Sequence, residues 1–125
     1  MAETTHAPLS GLELARYCVS FAQDKKALDP VIMDLQKVST IADYLVICSA
    51  QSEPQIKAIA NGVEKALKEG MERYPLAVDG FPASQWVVID YGDVIFHIFH
   101  EQKRRVYALE DLWSDAPRVS LAQET

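Results

Sequence analysis

Two apolar runs sit almost end to end in this chain, Trp86-Val87-Val88-Ile89-Asp90 and Val94-Ile95-Phe96-His97-Ile98-Phe99, with only Tyr91-Gly92-Asp93 between them. β-Branched and aromatic residues in that density, broken by a short link with a glycine at its centre, predict a tight β-hairpin. A third run, Tyr44-Leu45-Val46-Ile47-Cys48, is apolar at every position. A strand without polar alternation must be buried on both faces, so it belongs inside a sheet covered by other elements on each side. These runs commit the chain to a layered fold with a sheet at its centre.

The covering layers are also readable. Ser10 and Glu13 have capping-box spacing, and Leu12, Ala15, Tyr17, Cys18, Val19, Phe21 and Ala22 follow at helical intervals. That helix is expected to reach about Lys26 and to stop before Pro30, since the residue ahead of a proline avoids helical geometry. Val31 to Leu35 reads as a strand, and Ser39-Thr40 as a turn. Ser52, Pro54 and Gln55 then open a second helix whose stripe is Ile56, Ile59, Ala60, Val63, Ala66 and Leu67, with Gly70 placed to end it. Leu76 to Val78 suits a short edge strand, and Ala108 to Trp113 a short helical or turn segment. At 125 residues there is room for one domain. The expected layout is a loose tail over 1–9, a domain over 10–118 and a second tail over 119–125. The fold class is α/β (α+β), with a mixed five-stranded sheet flanked by helices.

Charge narrows the partners. Eighteen acidic residues against 12 basic ones give a net charge of −6, which opposes nonspecific binding to DNA or RNA through phosphate neutralisation. It suits a basic protein partner instead. No apolar run approaches the ~20 residues needed to span a bilayer. The two cysteines, Cys18 and Cys48, lie in apolar settings without CxxC spacing, so buried reduced thiols in a cytoplasm are expected.

A search for chemistry finds little. His97 and His100 lie three apart on a strand and so point to opposite faces, which argues against a shared metal ion. Asp90 and Asp93 flank Gly92, where turn chemistry accounts for both carboxylates. There is no Gly-x-Ser-x-Gly, and neither cysteine is placed as a nucleophile. No phosphate loop can be built from the five glycines. Lys103-Arg104-Arg105, flanked by Glu101, Glu110 and Asp111, reads as a solvated and balanced segment. What stands out is Trp86, Tyr91, Tyr107 and Trp113 interleaved with Asp90, Asp93, Glu110 and Asp111. Such a mixture serves either as anchors for a basic partner or as ordinary packing, and the sequence leaves both open.

The stretch from Gln85 to Phe99, followed by Arg105-Val106-Tyr107-Ala108-Leu109-Glu110-Asp111-Leu112-Trp113, closely resembles the ribosomal silencing factor (Iojap) family. Ser39 to Cys48 matches that family's strand, Gln55 to Asn61 the start of its following helix, and Asp79-Gly80 stands where the family usually has Glu-Gly. The likeness runs from about Leu12 to Arg118, with Phe81-Pro82-Ala83-Ser84 as this chain's own version of a variable loop. It implies a fold similar to a nucleotidyltransferase core without catalytic residues, no enzymatic activity and no cofactor. It also implies binding to the large ribosomal subunit through its ribosomal protein fourteen, blocking the small subunit and lowering translation when nutrients are short. Carried over residue by residue, the partner-binding surface falls on Trp86, Asp90, Asp93, His97, Tyr107, Glu110 and Leu112. Trp86 and Tyr107 would supply buried area, and the carboxylates would face Lys or Arg. His97 stays divided between contact and a structural hydrogen bond, while Gly92 is assigned to the turn. A homodimer off the ribosome is compatible with a flat sheet or an exposed edge. The alternatives are a nucleotide-binding enzyme using Asp90 and Asp93, and a large-subunit assembly factor.

Overall fold

A computed structural model describes residues 10–80 and 85–121. The expected tail over 1–9 and the loop at 81–84 lie outside the described residues. The elements run α1 (Gly11–Asp24), β1 (Leu28–Asp34), β2 (Tyr44–Ala50), α2 (Glu53–Met71), β3 (Ala77–Asp79), β4 (Trp86–Asp90), β5 (Val94–His100), α3 (Glu101–Tyr107), α4 (Leu109–Leu112) and β6 (Arg118–Val119). The sheet order is β3-β4-β5-β2-β1-β6. β2 pairs parallel with β5, and the other neighbours are antiparallel. The mixed α+β fold is as expected.

Each main element forms for a local reason. The Ser10 hydroxyl accepts from the Glu13 amide while the Glu13 carboxylate accepts from the Ser10 amide, closing the capping box of α1. At α2 the Ser52 hydroxyl caps Gln55, but the Gln55 side chain departs from the box. Its oxygen takes the Gln51 amide and its nitrogen donates to the Lys25 and Lys26 carbonyls, tying the start of α2 to the end of α1. All seven residues of β2 are buried. On one face Val46 and Cys48 meet Phe96, Ile98 and the stripes of α1 and α2. On the other, Leu45 and Ile47 join Met33, Leu35, Phe99 and Ala116, with Leu109 and Trp113 packed over them. The strand is thus covered on both sides, as its composition demanded.

Three details differ from the sequence expectation. The sheet has six strands, because Arg118 and Val119 pair with Met33 and Ile32 at the β1 edge. Two residues after a proline are too short to leave a periodic signal. α3 begins immediately after β5, capped by the His100 side chain, well ahead of Ala108. It was hidden because its first five residues are polar and none of the seven is buried, so no stripe marks it. Finally, α2 continues through Gly70 to Met71, and Glu72 rather than a glycine takes the left-handed cap, with φ 55°.

Glycine is required at one corner. Gly80 has φ +102°, and a Cβ there would lie 2.1 Å from the Trp86 carbonyl oxygen. Backbone cannot yield as a side-chain tip can. Gly80→Ala is therefore expected to lower the unfolding free energy by about 3 kcal/mol, through strain at positive φ plus the displaced strand. Chemical denaturation measures this, and a loss below about 0.5 kcal/mol, the range of a neutral surface change, would mean that the corner is not held in this conformation.

Candidate functional site

Strand alternation divides the residues of β4 and β5 between two faces. Val87, Ile89, Val94, Phe96 and Ile98 turn to the helices. Trp86, Val88, Asp90, Ile95, His97 and Phe99 take the other face, with Trp86 opposite Phe99 and Val88 opposite His97. There the Trp86 ring stacks on Phe99 at 4.8 Å and meets Tyr107 of α3 at 4.6 Å. Its indole Nε1 donates to His97 Nδ1 at 2.9 Å. The His97 ring stacks in turn on Phe99 at 6.0 Å and 11°. Phe99 is fully buried, whereas Tyr107 is 51% exposed, and Val106 and Leu112 are exposed beside it in sequence. On this face of the sheet α3 reaches β5 and β2, so the β3–β4 end carries Asp79 and Ala77 exposed and Asp90 partly so.

The structure thus brings Trp86, His97 and Tyr107 together and places Asp90 on the same sheet face. The Asp90 carboxylate accepts from the Gly92 amide at 2.7 Å, the turn role expected of it. Asp93 is different. Its carboxylate takes the Arg73 guanidinium at 3.1 Å, at the end of α2, and its other oxygen lies near Gly11 at the start of α1. It belongs to the helix side, held by an ion pair rather than by backbone amides. The pairing of Asp90 and Asp93 that a nucleotide-binding cleft would need is not formed. Burial holds His97 neutral by pushing its pKa down to about 4. His100 is engaged elsewhere, its Nδ1 accepting from the Gln102 amide.

Glu110 also turns inward. Arg104 grips it with two parallel bonds, Nε to Oε1 and Nη2 to Oε2, both 3.0 Å, and Arg118 adds a contact at 3.8 Å. That hydrogen bonding holds the Glu110 carboxyl below the usual carboxylate range, outweighing the opposite pull of burial. The third guanidinium nitrogen donates to the Asp29 carbonyl at 2.7 Å and to the Ser49 hydroxyl at 3.0 Å. Arg104 therefore clamps α3 and α4 to the start of β1 and the end of β2. It is the residue that sequence reasoning missed, because the basic run it sits in looked solvated. The available signal was Ser49, a buried polar residue at the end of an apolar strand, which requires a partner. Beside the clamp lies an open groove of about 470 Å³ lined by Arg104, Arg105 and Arg118 but also by Glu101, Glu110 and Asp111, so neither sign of charge dominates it.

Other candidates resolve into packing. Tyr91 is buried in the main core and Trp113 packs over the second. Cys18 and Cys48 are free and fully buried, and burial pushes the Cys48 thiol up to about 12, away from any thiolate chemistry. No described helix is long and apolar enough to cross a membrane.

Residues 8–125 match the family described as ribosomal silencing factor during starvation, RsfS. A ribosomal silencing factor RsfS from Halalkalibacterium halodurans is 42% identical over 114 residues, spanning 90% of this chain and 96% of that one. The crystal structure of a protein from Chromobacterium violaceum superposes with a TM-score of 0.81 at 27% identity, covering 93% of this chain and 95% of the other. More distant relatives are a chloroplastic protein Iojap of Arabidopsis thaliana, 29% identical over 104 residues and matched over 42% of its length, and a mouse protein named for mitochondrial assembly of the ribosomal large subunit, 26% identical over 113 residues and matched over half its length. With one sheet architecture and nearly the whole length shared, the chain belongs to the ribosomal silencing factor family.

Proposed function

We propose that the chain is a non-enzymatic repressor that docks on the large ribosomal subunit through its ribosomal protein fourteen and keeps the small subunit from joining. The observation that carries this reading is the β3–β4 end of this sheet face, where Trp86 and Tyr107 lie in tilted contact at 4.6 Å and Asp79 and Asp90 stand on β3 and β4. A half-buried tryptophan beside an exposed tyrosine is the kind of pair that forms the energetic centre of a protein interface. A net charge of −6 speeds encounter with a basic ribosomal protein and discourages stray contact with phosphate-rich RNA. Leu112, exposed on α4, is a further proposed contact, and Glu110 holds α4 in place through Arg104, while Asp93 braces the opposite, helix side through Arg73. The place of action is the cytoplasm, with no DNA, membrane or cofactor involved. Off the ribosome, the same face is open to a second copy of the chain. A role in assembling the large subunit is the second reading, favoured by the name of the mouse relative.

Isolated large subunits and recombinant ribosomal protein fourteen, each titrated at two salt concentrations, test the proposal. Saturable binding that weakens with salt and prevents subunit joining is the expected result. Binding to neither would overturn it. Precursor particles on depletion, with joining unaffected, would favour the assembly role.

A further inference from the structure

One polar group on this sheet face has no partner among the described residues. The indole N–H of Trp86 can only donate, so His97 Nδ1, which receives it at 2.9 Å, must be unprotonated. A neutral imidazole then carries its proton on Nε2. Stacking on Phe99 and contact with Trp86 fix the ring in place. Among the described residues nothing accepts from Nε2, and His97 remains partly exposed. Its cross-strand neighbours, Val88 on β4 and Ile47 on β2, are apolar. The face therefore holds a rigid, neutral N–H donor in apolar surroundings.

Resting on the docking reading above, we infer that His97 Nε2–H is a specificity-determining contact, and that the partner places a carbonyl oxygen, from main chain or carboxamide, directly over it. A partner that covers this face must supply an acceptor there, because a desolvated N–H left unpaired is penalised. A lysine or arginine at that point would set donor against donor. The partner's basic groups are thereby directed to Asp79 and Asp90 on the neighbouring strands. This gives the partner a pattern, an acceptor centred over His97 with cations towards the β3 edge, which charge attraction alone would not select.

Two substitutions separate the two nitrogens. In His97→Asn the amide oxygen can stand in for Nδ1 and keep the Trp86 bond, while the Nε2 donor is lost. In His97→Gln the amide nitrogen reaches the Nε2 position. With circular dichroism confirming the fold, His97→Asn is expected to weaken binding to ribosomal protein fourteen about tenfold or more, and His97→Gln to recover most of it. Nitrogen-15 spectra of the unsubstituted protein should show Nδ1 bare and Nε2 protonated, with the Nε2 proton slowed in exchange once the partner is added. Unchanged affinity in His97→Asn, or a rapidly exchanging Nε2 proton in the complex, would overturn the inference and leave the docking reading intact. Failure of the unsubstituted protein to bind would remove both.

Discussion

Arg104→Ala should lower folding stability by about 3 kcal/mol and disable the docking face with it. Four hydrogen bonds end on this one guanidinium, two to Glu110, one to the Asp29 carbonyl and one to the Ser49 hydroxyl. Breaking a buried ion pair from one side costs about 3–5 kcal/mol, because the remaining charge is left without compensation. Here the lower end applies, since the Glu110 side chain is 20% exposed and Arg118 stands 3.8 Å away. Ser49, only 3% exposed, cannot turn to water instead. Arg104→Lys should recover little, as a single ammonium cannot reproduce the bidentate fork and reach Ser49 as well. The consequence for function follows from connectivity. Tyr107 ends α3, and Ala108, held left-handed at φ 46°, turns the chain into α4 and Glu110. Releasing the clamp frees the segment that seats Tyr107 on Trp86. Urea denaturation gives the stability, and hydrogen exchange over residues 101–112 gives the local effect. A loss below about 1 kcal/mol, or unchanged protection in that segment, would show that the two short helices are held by the packing of Leu109 and Trp113 alone.

The clamp also marks where sequence reading stopped. β2, β4 and β5 were legible because burial on two faces, or on one, writes itself into composition and alternation. α1 and α2 were legible through Ser10, Ser52 and the apolar stripes behind them. α3 and β6 carry no such imprint: one has no buried residue to mark a stripe and the other has only two residues. Within the site, Trp86 and Tyr107 could be named from the family likeness, but only the fold brings them into contact, since α3 folds back beside β4's partner strand. The carboxylates were harder. From sequence, Asp90 and Asp93 read as turn acids around Gly92 and Glu110 as a neighbour of a solvated basic run, all three near aromatics. In the fold one caps a turn, one pairs with Arg73 just past α2, and one is enclosed by Arg104. Those pairings depend on contacts between elements that no local pattern encodes. An acid-to-amide change at Glu110, which a surface role would let act through association rate, acts instead through the stability of the clamp.

Trp86→Ala and Tyr107→Ala should both abolish tight docking while differing sharply in their effect on the fold. Trp86 lies partly buried on Phe99 and anchors His97, so its removal opens a cavity and strands an imidazole. A cost of about 3 kcal/mol in stability is expected, at the lower end for a large aromatic because the ring is not fully enclosed. Tyr107 is 51% exposed, and cutting it back should cost under about 1 kcal/mol of stability. Each should still weaken binding to ribosomal protein fourteen by about 2 kcal/mol or more, the behaviour of an interface anchor. Tyr107→Ala is the more telling of the two, because its binding loss cannot be blamed on a damaged core. Trp86→Phe adds a control, keeping an aromatic ring on Phe99 while removing the donor that fixes the His97 tautomer. If Tyr107→Ala binds like the unsubstituted chain with its circular dichroism spectrum intact, this sheet face is not the docking surface. The search would then move to the exposed edge at β3, where Val78 and, just ahead of the strand, Tyr74 and Leu76 are exposed. If its affinity falls while stability holds, the contacting pair of Trp86 and Tyr107 is the centre of the interface, and Arg104 is the residue that keeps it assembled.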